Sequence, residues 1–239
     1  MIHIVDYGMG NLRSVEKAFH KLGYPATVTN ASAVIRSADA VVLPGVGAFG
    51  RAMEALQAKN LDTALRWHIE RGKPFLGICL GLQLLFSQSE EFGNQQGLGI
   101  FPGKVVRFRG TRFERVDPRI PAELRIPHMG WNEVRKVKEP PLLAQTPDKS
   151  MFYFVHSYYP VPDDPSLVAT LTDHGGYFCS SVWKDNVFAC QFHPEKSGPA
   201  GLAVLEQFAT PLYGPRRAVE KEEPWFQPRP QPPRPQPGW

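Results

Sequence analysis

The run Lys73-Pro74-Phe75-Leu76-Gly77-Ile78-Cys79-Leu80-Gly81-Leu82-Gln83-Leu84-Leu85-Phe86 limits what this chain can fold into more than any other stretch. A short apolar segment ends at Cys79 and a second begins at once, with no polar turn between them. Gly77 and Gly81 bracket the cysteine as Gly-x-Cys-x-Gly, the thiol counterpart of a nucleophile elbow, in which a strained strand-to-helix turn lifts one side chain above a sheet edge. Glycine is needed at both places because a side chain there would collide with neighbouring backbone.

The segments around this run have the same rhythm. Ile2 to Val5 reads as a buried strand, and the glycine-rich turn Asp6 to Asn11 can cap a helix from Leu12, with Leu12, Val15, Phe19 and Leu22 at helical spacing and Gly23 as its stop. Ala26–Thr29 and Ala38–Leu43 are the next strands, and residues 51–71 carry one helical pattern through Met53, Leu56, Leu61, Leu65 and Ile69. Strand alternating with helix implies a mostly parallel sheet covered on both faces, in which ligands sit at the carboxyl ends of the strands. Both Cys79 and the loop Pro44-Gly45-Val46-Gly47 fall there.

That loop continues to Gly50 in superficial likeness to a dinucleotide fingerprint. The first strand, where such a fingerprint sits, has only Gly8-Met9-Gly10, and no acidic residue closes a second strand at the usual distance. Strand-end glycines instead leave backbone N–H groups free to face an anion.

After Phe86 the texture changes to a polar, turn-rich stretch, and then to short extended segments: Lys104–Phe108, Phe152–Val155, Leu167–Leu171, Phe178–Trp183 and Val187–Gln191. Asp185-Asn186 reads as a hairpin turn, and residues 201–208 as a closing helix. From residue 214 the composition shifts to prolines with almost no aliphatics, an extended or disordered tail. The domain expected to fold is therefore 1–213, a size suited to one α/β core.

Three cysteines without a Cys-x-x-Cys spacing argue against a disulfide framework and a structural zinc site. No metal or cofactor is expected. A net charge of +4 is spread among interspersed acids, so nucleic-acid binding is weakly indicated. The N-terminal apolar segment is too short for a signal core and no run is long enough to span a bilayer, so a cytoplasmic location is expected.

In Cys190-Gln191-Phe192-His193-Pro194-Glu195, His193 and Glu195 are two apart, so in an extended chain they share a side. A carboxylate can then hold the imidazole while its other nitrogen faces a thiol, and a thiol needs such a base because the thiolate is the nucleophile.

The run Gly77 to Gln83, together with Phe192-His193-Pro194-Glu195, resembles the class I (triad) glutamine amidotransferases, and Pro44 to Gly47 looks like their oxyanion loop. Asp6 to Ser14 and Pro127-His128-Met129-Gly130-Trp131-Asn132 narrow the resemblance to the glutaminase subunits of imidazole glycerol phosphate synthases, in histidine biosynthesis. It covers residues 1 to about 213. It implies a three-layer fold with a mostly parallel central sheet, helices on both faces and added antiparallel strands in the second half.

The resemblance also implies roles. Cys79, His193 and Glu195 would hydrolyse glutamine; the backbone N–H groups of Leu80 and the Gly47 loop would hold the oxyanion, that loop being misaligned in the free subunit and aligned when a partner reports bound substrate. Gln83, Glu91, Ser180 and Ser181 would contact the substrate. Gln83 has a plain alternative as a cap, Glu91 as a solvated carboxylate, and the serines as ordinary strand residues. Tyr7, Asn11, Met129 and Trp131 would line the face that docks on a (β/α)₈ synthase subunit in a 1:1 heterodimer and help seal the route of ammonia; Trp131 as a core aromatic is the alternative. Rival assignments are another class I amidotransferase subunit, or a γ-glutamyl cysteine hydrolase that needs no partner.

Overall fold

The computed structural model describes residues 1–113 and 124–215. Of the proline-rich segment, only residues 214 and 215 are among them. The first half runs β1 (Ile2–Val5), α1 (Leu12–Lys21), β2 (Ala26–Thr29), α2 (Ser32–Ser37), β3 (Ala40–Gly45), α3 (Phe49–Ala58), α4 (Leu61–Glu70), β4 (Phe75–Cys79) and α5 (Leu80–Gln83). Next come β5 (Phe86–Ser89), β6 (Gln95–Gln96), β7 (Phe101–Arg107), β8 (His128–Lys136), β9 (Ser150–His156) and β10 (Tyr158–Pro162). The chain closes with β11 (Val168–Asp173), β12 (Tyr177–Lys184), β13 (Val187–Cys190) and α6 (Gly198–Tyr213).

Among the described residues, nine strands form the main sheet in the order β2-β1-β3-β4-β13-β12-β11-β8-β9, and β10-β7-β5-β6 form a smaller one. Pairing is parallel from β2 to β13 and antiparallel from there to β9. Alternation along the central strands divides the core. Val41 and Leu43 of β3 and Phe75 of β4 pack with α3 and α4 on one face, whereas Ala40, Val42, Leu76 and Ile78 pack with α1 and α6 on the other. Each aliphatic or aromatic side chain so buried contributes about 1.5–3 kcal/mol before chain entropy is counted. The expected three-layer architecture, with helices on both faces of a mostly parallel centre and antiparallel strands added in the second half, is thus present.

The single helical pattern over 51–71 is two helices. Asn60 adopts a left-handed conformation, φ 53°, and ends α3 before α4 begins. The apolar spacing carries across the break because both helices bury the same face of the sheet. Asn11 begins α1 through its backbone carbonyl, with no side-chain cap. No helix among the described residues is long and apolar enough to cross a membrane.

Register is what assembles the site. Gly45 on β3 pairs with Cys79 on β4, and Ile78 pairs with Cys190 on β13. Three neighbouring parallel strands therefore end level, and the Pro44 loop, the cysteine and the Gln191–Glu195 turn leave the sheet side by side.

Candidate active site

Cys79 has φ 56° and ψ −108°, a region that costs a non-glycine residue about 1–3 kcal/mol. The neighbouring glycines show how the turn is held. A Cβ on Gly81 would lie 1.8 Å from the Leu43 carbonyl oxygen, and one on Gly77 would lie 2.9 Å from the Ala189 Cβ and 3.0 Å from the Gly81 oxygen. All three collision partners are backbone or Cβ atoms and close to fixed, so the bracketing glycines are steric requirements of the elbow.

Cys79 is 5% exposed. Its sulfur lies 4.0 Å from the Val155 carbonyl and receives the side-chain N–H of Gln191 at 3.6 Å. The other two cysteines are sealed in the core, where burial pushes the Cys179 thiol up to about 12 and the Cys190 thiol well above its usual range.

His193 Nδ1 donates to Glu195 Oε1 at 2.8 Å, with both side chains almost fully buried. A carboxylate only accepts, so Nδ1 carries a proton and Nε2 is the nitrogen available to a thiol. Nε2 makes no hydrogen bond of good geometry, and neither does Glu195 Oε2. Burial works to lower the His193 pKa, but the charge of Cys79 and an incipient hydrogen bond to it, followed by Glu195, outweigh burial and raise it to about 10. The pair is not on an extended strand as expected: Pro194–Lys196 is a turn of 3₁₀ helix. The His193 N–H binds the Tyr153 carbonyl at 2.9 Å, and Ser197 Oγ bridges, donating to the His193 carbonyl at 2.6 Å and accepting the Tyr153 N–H at 3.0 Å. These bonds, rather than strand alternation, bring the carboxylate to the imidazole.

Beside the thiol opens a cavity of about 280 Å³. Val46, Gly47 and Leu80 form one wall, Gln83 and Glu91 another, and residues 155–158 a third. Gly47 has φ +107°, and a Cβ there would meet Met9 Cε at 2.6 Å, so the loop conformation belongs to glycine. The cavity thus brings together Cys79, Leu80, Gly47, Gln83 and Glu91 from the expected set. The Glu91 carboxylate caps α3, accepting the Phe49 N–H at 2.7 Å, while remaining in the cavity wall.

Other expectations are corrected. Ser180 and Ser181 are fully buried on β12 and their hydroxyls bond Thr170 Oγ1 at 2.8 and 2.7 Å, away from the cavity. Register shifts in β11 on either side of Thr170 let one hydroxyl meet two consecutive serines. Tyr7 is buried rather than presented to a partner: its hydroxyl donates to the Pro44 carbonyl at 3.1 Å and supports the Pro44–Gly47 loop. Burial, then the nearby Cys79 charge, raises its pKa. Asn11 is exposed, as are Met129 (63%) and Trp131 (54%), so Trp131 is not a core aromatic. Gln191, His156, Ser157 and Tyr158 were not singled out beforehand; Gln191 sits inside the His193 motif, whereas the strand-end wall has no local sequence signal. Among the described residues, no group of His, Cys, Asp and Glu side chains could hold a metal ion.

Comparison with known proteins agrees with this geometry. Residues 3–212 match the family model for class-I glutamine amidotransferases, and the chain belongs to that family. It is 53% identical over 208 residues to the imidazole glycerol phosphate synthase subunit HisH of Syntrophotalea carbinolica, covering 87% of this chain and 98% of that protein, and 50% identical over 210 residues to the same subunit of Chlorobaculum tepidum, covering 87% and 99%. Within the class, the chain is therefore a member of the HisH subunits. Among solved structures it resembles PurLQS from Thermotoga maritima, with TM-score 0.67, 19% identity and coverage of 88% of this chain and 98% of that one, a likeness of fold.

Proposed function

We propose that this chain is the glutaminase subunit of an imidazole glycerol phosphate synthase, with residues 1–213 as its glutaminase domain. The observation that carries the mechanism is the strained Cys79 elbow, whose thiol lines the cavity, together with a buried imidazole held by Glu195 at 2.8 Å. The Cys79 thiolate attacks the side-chain carboxamide carbon of glutamine, and the N–H groups of Leu80 and Gly47 receive the oxyanion. Protonated His193 delivers its Nε2 proton to the departing ammonia, leaving a glutamyl thioester. Neutral His193 then takes a proton from water, which attacks the thioester and releases glutamate and the thiol. Glu195 holds the ring in the tautomer both steps need.

Gln83 and Glu91 hold the amino-acid end of the substrate. The ammonia passes to a (β/α)₈ synthase subunit of HisF type, bound 1:1 on the face that carries Asn11, Met129 and Trp131, where imidazole glycerol phosphate and AICAR are made. The setting is cytoplasmic. The orientation of the Gly47 peptide switches the site when the partner binds its nucleotide substrate; equal glutamine hydrolysis by the free chain and the assembled enzyme would remove this element. The central experiment is Cys79→Ala in the assembled enzyme. Glutamine-dependent synthesis should be lost and synthesis from added ammonium salt kept. Retained glutaminase activity, or loss of both, would overturn the assignment, and activity indifferent to the partner would point to a γ-glutamyl hydrolase.

A further inference from the structure

Gln191 is fully buried between the cysteine and the helix that follows it, and the donor it turns to the sulfur follows from its neighbours. The Tyr158 carbonyl can only accept, so the Gln83 atom 2.9 Å from it is Nε2. The same Nε2 lies 3.0 Å from the Gln191 side chain, which must present its oxygen there. The remaining Gln191 amide atom, 3.6 Å from Cys79 Sγ, is then the nitrogen. A backbone carbonyl thus fixes the orientation of two amides in series, and the last one aims an N–H at sulfur.

The geometry points to Gln191 as a positioning residue for the Cys79 thiolate, with Gln83 acting chiefly to orient it. An N–H donor favours sulfur with a negative charge and a free lone pair, and it holds the side chain so that its other side is open to His193 and the cavity. Both N–H groups of Gln83 are committed to Tyr158 and Gln191, which leaves the cavity only its oxygen. The inference rests on Cys79 being the nucleophile.

The test is the pH dependence of Cys79 alkylation by iodoacetamide in the full-length chain, comparing wild type with Gln191→Met, which keeps length and removes the amide. The midpoint should move up by about one pH unit in the variant, as expected for loss of a hydrogen bond to a charged group. In the complex with the synthase subunit, kcat for glutamine should fall about tenfold while KM stays within about threefold. An unchanged midpoint in a variant that melts like wild type overturns the inference.

If Gln191→Met does not fold, the wild-type chain labelled with ¹⁵N-glutamine provides the test. One side-chain amide pair should titrate with the alkylation midpoint and cease to do so in Cys79→Ala; absence of such a pair overturns the inference equally. The Cys79→Ala enzyme separates the two failures. Glutaminase activity without the thiol would remove the nucleophile, whereas its loss together with an unshifted midpoint would remove only the role of Gln191.

Discussion

Glu195 is a buried carboxylate with one oxygen on His193 and the other without a partner, an arrangement that costs solvation and is compensated by a charge-assisted bond. Replacing it by an amide keeps the shape and removes the charge. Glu195→Gln should lower kcat by about 10²–10⁴-fold in steady-state glutaminase assays with little change in KM, because the imidazole loses its fixed tautomer. It should also bring the His193 pKa down from about 10. Gly47 makes a second residue-level case. Gly47→Ala forces a side chain into φ +107°, which L residues rarely adopt, so the peptide must turn and carry with it the N–H proposed to meet the oxyanion. We expect a loss of about 10²–10³-fold in kcat, measured beside a substrate affinity that is nearly unchanged.

Between β8 and β9, His128 and His156 face each other in register, with His128 Nδ1 3.0 Å from His156 Nε2. His156 Nδ1 donates to the Tyr158 carbonyl at 2.8 Å, so its Nε2 accepts, and Asn132 Nδ2 lies 3.0 Å from His128 Nε2, which also accepts. The chain of bonds is consistent only with two neutral rings. Burial, then the charge of His174, lowers His128 to about 4, and burial, then His128, lowers His156 well below 6.5. Unfolded, both would titrate near 6.5, so below that pH the unfolded state binds more protons. Their contribution is full above about pH 6.5 and is lost as pH falls toward 4, at up to ~1.4 kcal/mol per pH unit for each ring. His193 has the opposite sign, stabilising below 6.5 and fading as pH rises through about 10, so it does not offset this loss. Urea midpoints should therefore drop steeply between pH 6.5 and 4.5, and a flat profile would contradict the neutral pair. None of this pairing was visible in the chain, since β8 carries its polar residues in consecutive pairs rather than in alternation. What could be read were β1, β3 and β4, whose apolar runs are buried on both faces and need no partner to be recognised. The α3–α4 break escaped because a single left-handed asparagine leaves the apolar period intact.

At the scale of the whole molecule, exposed Trp131 and Met129 belong to the face proposed to dock on the partner. Trp131 packs edge-on to Tyr153 at 6.3 Å, with Lys196 placed 5.8 Å over that ring, close to the turn that holds Glu195. Trp131→Ala should weaken association with the synthase subunit by about 2 kcal/mol or more in calorimetric titration while leaving the melting temperature of the free chain unaltered. The site was legible where chemistry demands a rare residue pattern, as in the bracketed Cys79 and the His193–Glu195 pair. It was illegible where a serine, tyrosine or glutamine takes its role from a neighbouring strand: Ser180 and Ser181 are drawn to Thr170, Tyr7 lies under the Pro44 loop, and Gln191 is aimed by Gln83. The level ends of β3, β4 and β13 also set an order of events in synthesis. Gln191 meets Cys79 across 112 residues, just past β13, the last strand among the described residues. A ribosome-bound chain that has not yet supplied β13 lacks both the strand that pairs with β4 and the proposed base that follows it, so hydrolysis of the cell's glutamine has to wait until the fold is nearly complete.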